Sequence, residues 1–331
     1  MSGLPAPDLA ALVGQSQARP VVLVLSALAG GGYLLAVSWP GRSGPRWPWW
    51  RTASFFAGLA VVLVATCSGI EAYGRVLQWV HMVEHLLLIM VAPVLLAVGS
   101  PVQLLHDRLP AKAARPVDRV LGRPLVGWST SPVTAALGYA VAVVGVHLTG
   151  LLTRVVSGPN LHGTEELVYL ASGYLLFQLV FGVHPGPSQL TPLGKLALLA
   201  FVSPVDTVVG VVLLQSGTVQ SGLAAGHGAH SGVTRPDWAL PPAADTIAAG
   251  TTMWIGGTGI MALLMIAVGL AWLHGRPPAA TRPGWTDRAR SQAFTDRTGA
   301  PPGADVDSDE ALRAYNDYLG RLAVPERRPD D

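Results

Sequence analysis

Seven apolar runs, at about residues 20–39, 52–72, 76–105, 131–153, 163–184, 193–216 and 246–274, divide this 331-residue chain. Each reaches the roughly 20 residues that a helix needs to cross a hydrocarbon layer. Backbone polar groups in lipid must be satisfied within their own segment, so the runs predict an all-α polytopic bundle of seven transmembrane helices. Only 13% of the residues are charged, about half the share of a soluble domain. The third and seventh runs are over-long, which predicts tilt or bending, with Pro93 and Pro101 as bending points in the third. No basic segment precedes the first run and no clean cleavage site follows it, so 20–39 reads as a retained span rather than a signal peptide.

Lys and Arg alternate between the connections. Arg42, Arg46 and Arg51 lie in 39–52, and Arg108, Lys112, Arg115, Arg119 and Arg123 in 106–130. Arg276, Arg282, Arg288, Arg290 and Arg297 open the tail, while the alternate connections and the N-terminal segment hold only Arg19, Arg75, Arg154 and Arg235. Positive residues gather on the cytoplasmic side, which predicts residues 1–19 outside and a cytoplasmic 275–331. Trp47, Trp49 and Trp50 beside Arg51 read as an anchor at the inner interface.

Threaded this way, the polar residues of the apolar helices collect at the outer end. His81, Glu84 and His85 lie in the outer turns of the third helix, and spacings of three and four put them on one face. His147 falls near the outer end of the fourth helix, and His162 opens the fifth with Glu166 one turn further in. Cys67 and Glu71 occupy the outer end of the second helix, and Asp245 opens the seventh. His227 and His230 fall in the outer 217–244 connection, whose Gly, Ala and Ser content fits plain flexibility as well as a lid.

Ionisable groups inside a membrane are costly and face a bundle interior or a wet cavity. Imidazole suits copper, zinc and iron, while thiolate favours cuprous copper. Two readings of His81, His85, His147 and His162 therefore stand. They line a metal site at the outer leaflet, with Glu71, Glu84, Glu166, Cys67 and Asp245 as accessories, or they hydrogen-bond across helices and hold the bundle together. Asp206 is a further accessory candidate, set in mid-helix after Ser203-Pro204 and either protonated or paired across the bundle.

Other motifs carry less. His81-Met82-Val83-Glu84-His85 matches the H-x-x-E-H pattern of inverted zinc proteases, but it sits in an apolar span. Lys112 and Lys195, the only lysines, lie outside the seventh run, which excludes a retinal Schiff base there. The one cysteine excludes a disulfide within the chain. No phosphate loop, nucleophile elbow or basic nucleic-acid face is present, and no enzymatic activity is expected.

The block His81-Met82-x-x-His85-Leu86-Leu87-Leu88, with Ala92-Pro93-x-Leu95-Leu96 and Gly99-x-Pro101, resembles the CtaG-type cytochrome c oxidase assembly factors. Leu161-His162 is similar to that family's histidine before the fifth helix. Asp245-x-x-x-Ala249-Gly250-x-x-Met253-Trp254-x-Gly256-Gly257 is similar to the opening of its last helix. Ala314-Tyr315-Asn316-Asp317-Tyr318-Leu319 resembles a motif near its C-terminus. Glu166 stands where many members carry a second histidine, and Glu84 where an amide is more usual. The Arg-rich, Ala- and Gly-rich composition fits an actinobacterial genome.

The resemblance implies a multi-pass plasma-membrane protein that matures haem-copper oxidase by binding copper and delivering it. Its partners would be oxidase subunits and other copper chaperones. His81 and His85 would be the primary ligands, His147 and His162 would complete the site, and Glu71 and Glu84 would orient the imidazoles. A membrane copper transporter and a haem-binding membrane protein are the alternatives. The tail is expected to be largely disordered, with an amphipathic helix near 309–323.

Overall fold

A computed structural model describes residues 4–39, 47–108, 131–149, 161–182, 190–216, 236–274, 293–299 and 309–322. Among them every regular element is helical. His184, His227, His230 and most of the 217–244 connection lie outside the described residues. The chain forms two units, Met1–Trp272 and Leu273–Asp331.

In the first unit a short helix α1 (Leu9–Gly14) precedes α2 (Pro20–Ser38) and α3 (Trp49–Cys67). Helix α3 ends where the backbone of Ser68 turns extended, and Ser68 Oγ accepts the amide of Ile70 to open α4 (Gly69–Gly74). The run expected to continue through residue 72 is thus two helices, and Cys67 and Glu71 do not share one helix face.

The third run divides further, into α5 (Gln78–Leu86), a π-helical turn (Leu87–Val91), α6 (Ala92–Gly99) and α7 (Pro101–Arg108). Pro93 has no N–H to bond the carbonyl one turn back, and the π turn takes up that mismatch. The second break falls at Ser100, whose φ of 47° is left-handed. Arg51 Nη1 donates to its Oγ at 2.7 Å, and Tyr33 OH donates to the neighbouring Gly99 carbonyl at 2.9 Å.

Next come α8 (Pro132–Val144) with a π turn (Gly145–Thr149), α9 (Leu161–Phe181) and α10 (Pro192–Ser216). The series closes with α11 (Pro242–Thr251), a π turn (Thr252–Gly256) and α12 (Gly257–His274). Among the described residues, five helical stretches are long and apolar enough to cross a membrane: Pro20–Ser38, Trp49–Cys67, Gln78–Arg108, Pro192–Gln215 and Pro242–His274. Pro132–Leu148 is a shorter apolar helix. The first turns of α9 carry Glu165 and Glu166, which lower its mean hydropathy.

The histidine-bearing stretch is the centre of the unit. Its most apolar window is 61% buried, against 11% for α2, whose Val24, Leu25, Leu28 and Leu35 are exposed. Helix α9 crosses this stretch at Gly173, where an added Cβ would lie 2.0 Å from the Ile89 carbonyl oxygen. The crossing needs glycine, and it sets the N-terminal turns of α9 against those of α5. Residues 4–19 strap the same end: Tyr73 OH donates to Pro5 O at 3.0 Å, Trp238 Nε1 to Leu4 O at 2.8 Å, and the Gln17 amide to Cys67 O at 3.0 Å.

The second unit contains the helix α13 (Asp309–Leu322), with Asp309 and Glu310 in its first turn and Arg321 in its last. Arg321 Nη2 donates to Thr298 O at 3.2 Å, and Ala311 is buried.

Candidate metal centre

Helix α5 begins on a carboxylate. Asp245, from the first turn of α11, accepts the backbone amides of Gln78 and Trp79 at 3.0 and 3.2 Å. Those amides have no partner within their own helix, and the positive end of the helix favours the charge. Thr246 Oγ1 donates to Gln78 Oε1 at 3.0 Å beside it. The structure thus places Asp245 under the helix that carries the histidines, as its cap.

One turn on, His81, Glu84 and His85 share the inward face and are all buried. The His81 and His85 ring centroids lie 4.0 Å apart, and His162 from the start of α9 comes within 5.5 Å of His81. Glu165, Glu166 and Glu71 close the cluster, each buried. Among the described residues, three groups of side chains bring ligand atoms within 4.8 Å of one another: His81, His85 and Glu165; His81, Glu84 and His162; Glu71, His162 and Glu166.

His147 stands behind this cluster. Its Nδ1 lies 2.8 Å from the Val143 carbonyl, which can only accept, so that nitrogen carries the proton. The Tyr169 hydroxyl lies 3.0 Å from the same Nδ1. In the neutral ring Nε2 is then the acceptor, and it meets His85 Nδ1 at 3.2 Å. His85 Nδ1–H then donates to it, and His85 Nε2 faces the cluster, 3.5 Å from Glu165 Oε1. Tyr169 also stacks on the His85 ring, with centroids 4.3 Å apart and planes at 28°.

Nitrogen–oxygen separations across the cluster share a narrow range. They are 3.7 Å for His81 Nδ1–Glu84 Oε2, 3.2 Å for His162 Nε2–Glu84 Oε1 and 3.5 Å for His162 Nδ1–Glu165 Oε2. His162 Nε2 lies 3.3 Å from Glu166 Oε1 and 3.8 Å from Glu71 Oε2. Among the described residues, neither oxygen of Glu84 accepts a well-formed hydrogen bond. Two ligands held about 2.0–2.1 Å from a tetrahedral ion stand roughly 3.3 Å apart.

Two guanidiniums border the carboxylates. Arg75 Nη2 pairs with Glu71 Oε1 at 2.5 Å. Arg19 hydrogen-bonds Glu166 Oε1 and lies 4.0 Å from Glu71 Oε1. Burial works against the Arg19 charge, but the hydrogen bond to Glu166 and the fields of Glu166, Glu71 and Glu84 outweigh it and raise its pKa.

Of the residues singled out in the sequence, His81, His85, His162, Glu71, Glu84 and Glu166 meet in this cluster. His147 contacts it through His85, and Cys67, half-buried and 3.5 Å from Thr66 Oγ1, is not part of it. Asp206 lies elsewhere in the bundle, fully buried, with Tyr139 OH donating to both of its oxygens at 3.2 and 3.0 Å. Glu165, Arg19 and Tyr169 were missed. Glu165 had a signal, since its spacing of three from His162 is as good as the spacing of four that singled out Glu166.

Over 316 residues the chain is 28% identical to an uncharacterized protein of Mycobacterium bovis, covering 91% of this chain and 44% of that one. A Mycobacterium tuberculosis protein matches with the same figures, and a Mycobacterium leprae protein is 26% identical over 303 residues, covering 89% and 43%. The chain spans less than half the length of these relatives. No solved structure matches it. The profile of the cytochrome c oxidase caa3 assembly factors (Caa3_CtaG) matches residues 31–275, which carry both histidine-bearing turns and every carboxylate of the cluster. The chain belongs to the cytochrome c oxidase caa3 assembly factor family.

Proposed function

We propose that this membrane protein binds copper in the His81–His85–Glu165 part of the cluster and passes it to a haem-copper oxidase, without itself catalysing a reaction. The observation that supports this reading is the convergence of ligand atoms from three buried side chains on one place: those of His81, His85 and Glu165 lie within 4.8 Å of one another, with His85 Nε2 3.5 Å from Glu165 Oε1. The donors are imidazoles and carboxylates with no thiolate among them, which suits a divalent ion such as Cu2+ better than Cu+. Copper is cargo in this reading, and a second ligand set on the oxidase would replace the first.

Placement of the site supports delivery. The excess of Arg and Lys in alternate connections argues for seven crossings of the plasma membrane, with the N-terminus outside. The cluster then lies at the outer leaflet, at the opposite end of α3 from Arg51 and the Trp47–Trp50 anchor. A membrane copper transporter is the second reading. Uptake of copper into vesicles carrying the protein would favour it.

The test is metal content of detergent-purified protein, with copper bound by wild type and lost in the His81→Ala/His85→Ala double variant. The same variant should abolish oxidase maturation in cells while staying in the membrane. Full oxidase activity in that variant, or equal copper in both proteins, would overturn the reading.

A further inference from the structure

We propose that Glu71, His162 and Glu166 form a second cation position beside the His81–His85–Glu165 site, and that Arg19 is the counter-cation an incoming divalent ion displaces from it. The inference rests on the copper-binding reading above and adds a loading position to it.

The two triads share no residue. Glu84 lies between them, one oxygen 3.7 Å from His81 and the other 3.2 Å from His162, as a carboxylate bridging two ions would. Glu71 Oε2 is buried and, among the described residues, accepts no hydrogen bond, although it lies 3.8 Å from His162 Nε2. Glu71 and Glu166 therefore carry an oxygen each toward His162, the geometry of one ion with three ligands.

Charge separates this position from the inner one. With the imidazoles neutral, as metal ligands must be, the four buried carboxylates Glu71, Glu84, Glu165 and Glu166 face two guanidiniums, Arg19 and Arg75, which leaves two negative charges. One divalent ion in the inner triad balances them. A second ion is favoured when it replaces a positive charge already there, and Arg19 is the guanidinium held by both Glu166 and Glu71. Arg75 pairs with Glu71 alone and is nearly half exposed.

Arg19 is also the cation with somewhere to go. It immediately precedes α2, its side chain is 25% exposed, and it borders a cavity of about 1140 Å³ together with His162, Thr164 and Glu166. The cavity runs along α2 and is otherwise lined mostly by apolar side chains, which leaves room for the aliphatic stem of Arg19 to swing away from Glu166. An intramolecular competitor of this kind weakens the second ion's binding and eases its release, which suits a protein that must hand its cargo on.

The experiment titrates Cu2+ alone into the full chain in detergent, reading stoichiometry and the affinity of each equivalent. Wild type, Arg19→Gln, Arg19→Lys, Arg19→Gln/Glu166→Gln and His85→Ala are compared. The second equivalent should bind at least tenfold tighter in Arg19→Gln. In Arg19→Lys, which keeps the charge but loses the two-pronged guanidinium geometry, the gain should be smaller. Adding Glu166→Gln should cancel it. Two ions bridged by Glu84 should also show magnetic coupling in the electron paramagnetic resonance spectrum at the second equivalent. If Arg19→Gln does not fold, Arg19→Lys decides.

A second-equivalent affinity equal to wild type in the folded Arg19 variants overturns the inference. If wild type still binds one copper that His85→Ala removes, the copper-binding reading survives that result. Absence of copper from wild type and from every variant overturns both.

Discussion

His85 illustrates how one side chain acquires a direction. The Val143 carbonyl holds His147 Nδ1, and the contact of His147 Nε2 with His85 Nδ1 turns the other nitrogen of His85 toward the cluster. A partner acting on a ligand in this way commonly tunes metal affinity roughly 10–100-fold. His147→Ala should therefore weaken copper binding by about that factor while leaving its stoichiometry unchanged, as isothermal titration would read. Glu165→Gln removes the carboxylate charge from a ligand position and should cost more, with loss of the tight equivalent as the outcome. Asp206 has a local partner of its own in Tyr139. Tyr139→Phe leaves its oxygens without that donor, and should lower stability by about 1–3 kcal/mol in a denaturation assay. At this level the sequence was partly legible. His81, Glu84 and His85 were readable as one face because helical spacing is local. Arg19 was not, because its partner Glu166 is 147 positions away and no spacing rule reaches that far.

Among the helices, the cap and the crossing decide where those side chains stand. Asp245 looked like a member of the site because it lies at the right end of its helix, but its oxygens are taken by the amides that open α5. Asp245→Ala should cost about 1 kcal/mol through the lost cap. A lower melting temperature with a small loss of copper affinity is the expected pattern. Gly173→Ala puts a methyl into the Ile89 carbonyl and must push α9 away from the π turn. Overpacking of that kind costs about 1–3 kcal/mol, and a displaced α9 carries His162 and Glu165 with it, so copper affinity should fall as well. The apolar runs announced these helices, since long stretches without charge have few other uses. They did not announce the breaks at Ser68 and Ser100 or the π turns, which depend on caps and on backbone adjustment around single residues.

In the first unit as a whole, the apolar runs determined what kind of protein this is. Hydropathy fixes the solvent in which a segment is stable, and that property adds up residue by residue along the chain. The helical class and the family were therefore open to reading without coordinates. Five of the seven expected spans meet the length and hydropathy needed to cross. The remaining two are a shorter apolar helix and one that opens on a pair of carboxylates. Which carboxylates meet the histidines was decided only by the tertiary structure. Glu71 arrives from α4, Glu165 and Glu166 from α9, and Arg19 from the strap ahead of α2. Their meeting depends on helices packing to within a few ångströms, at contacts such as Gly173 on Ile89, and no local pattern encodes such a distance.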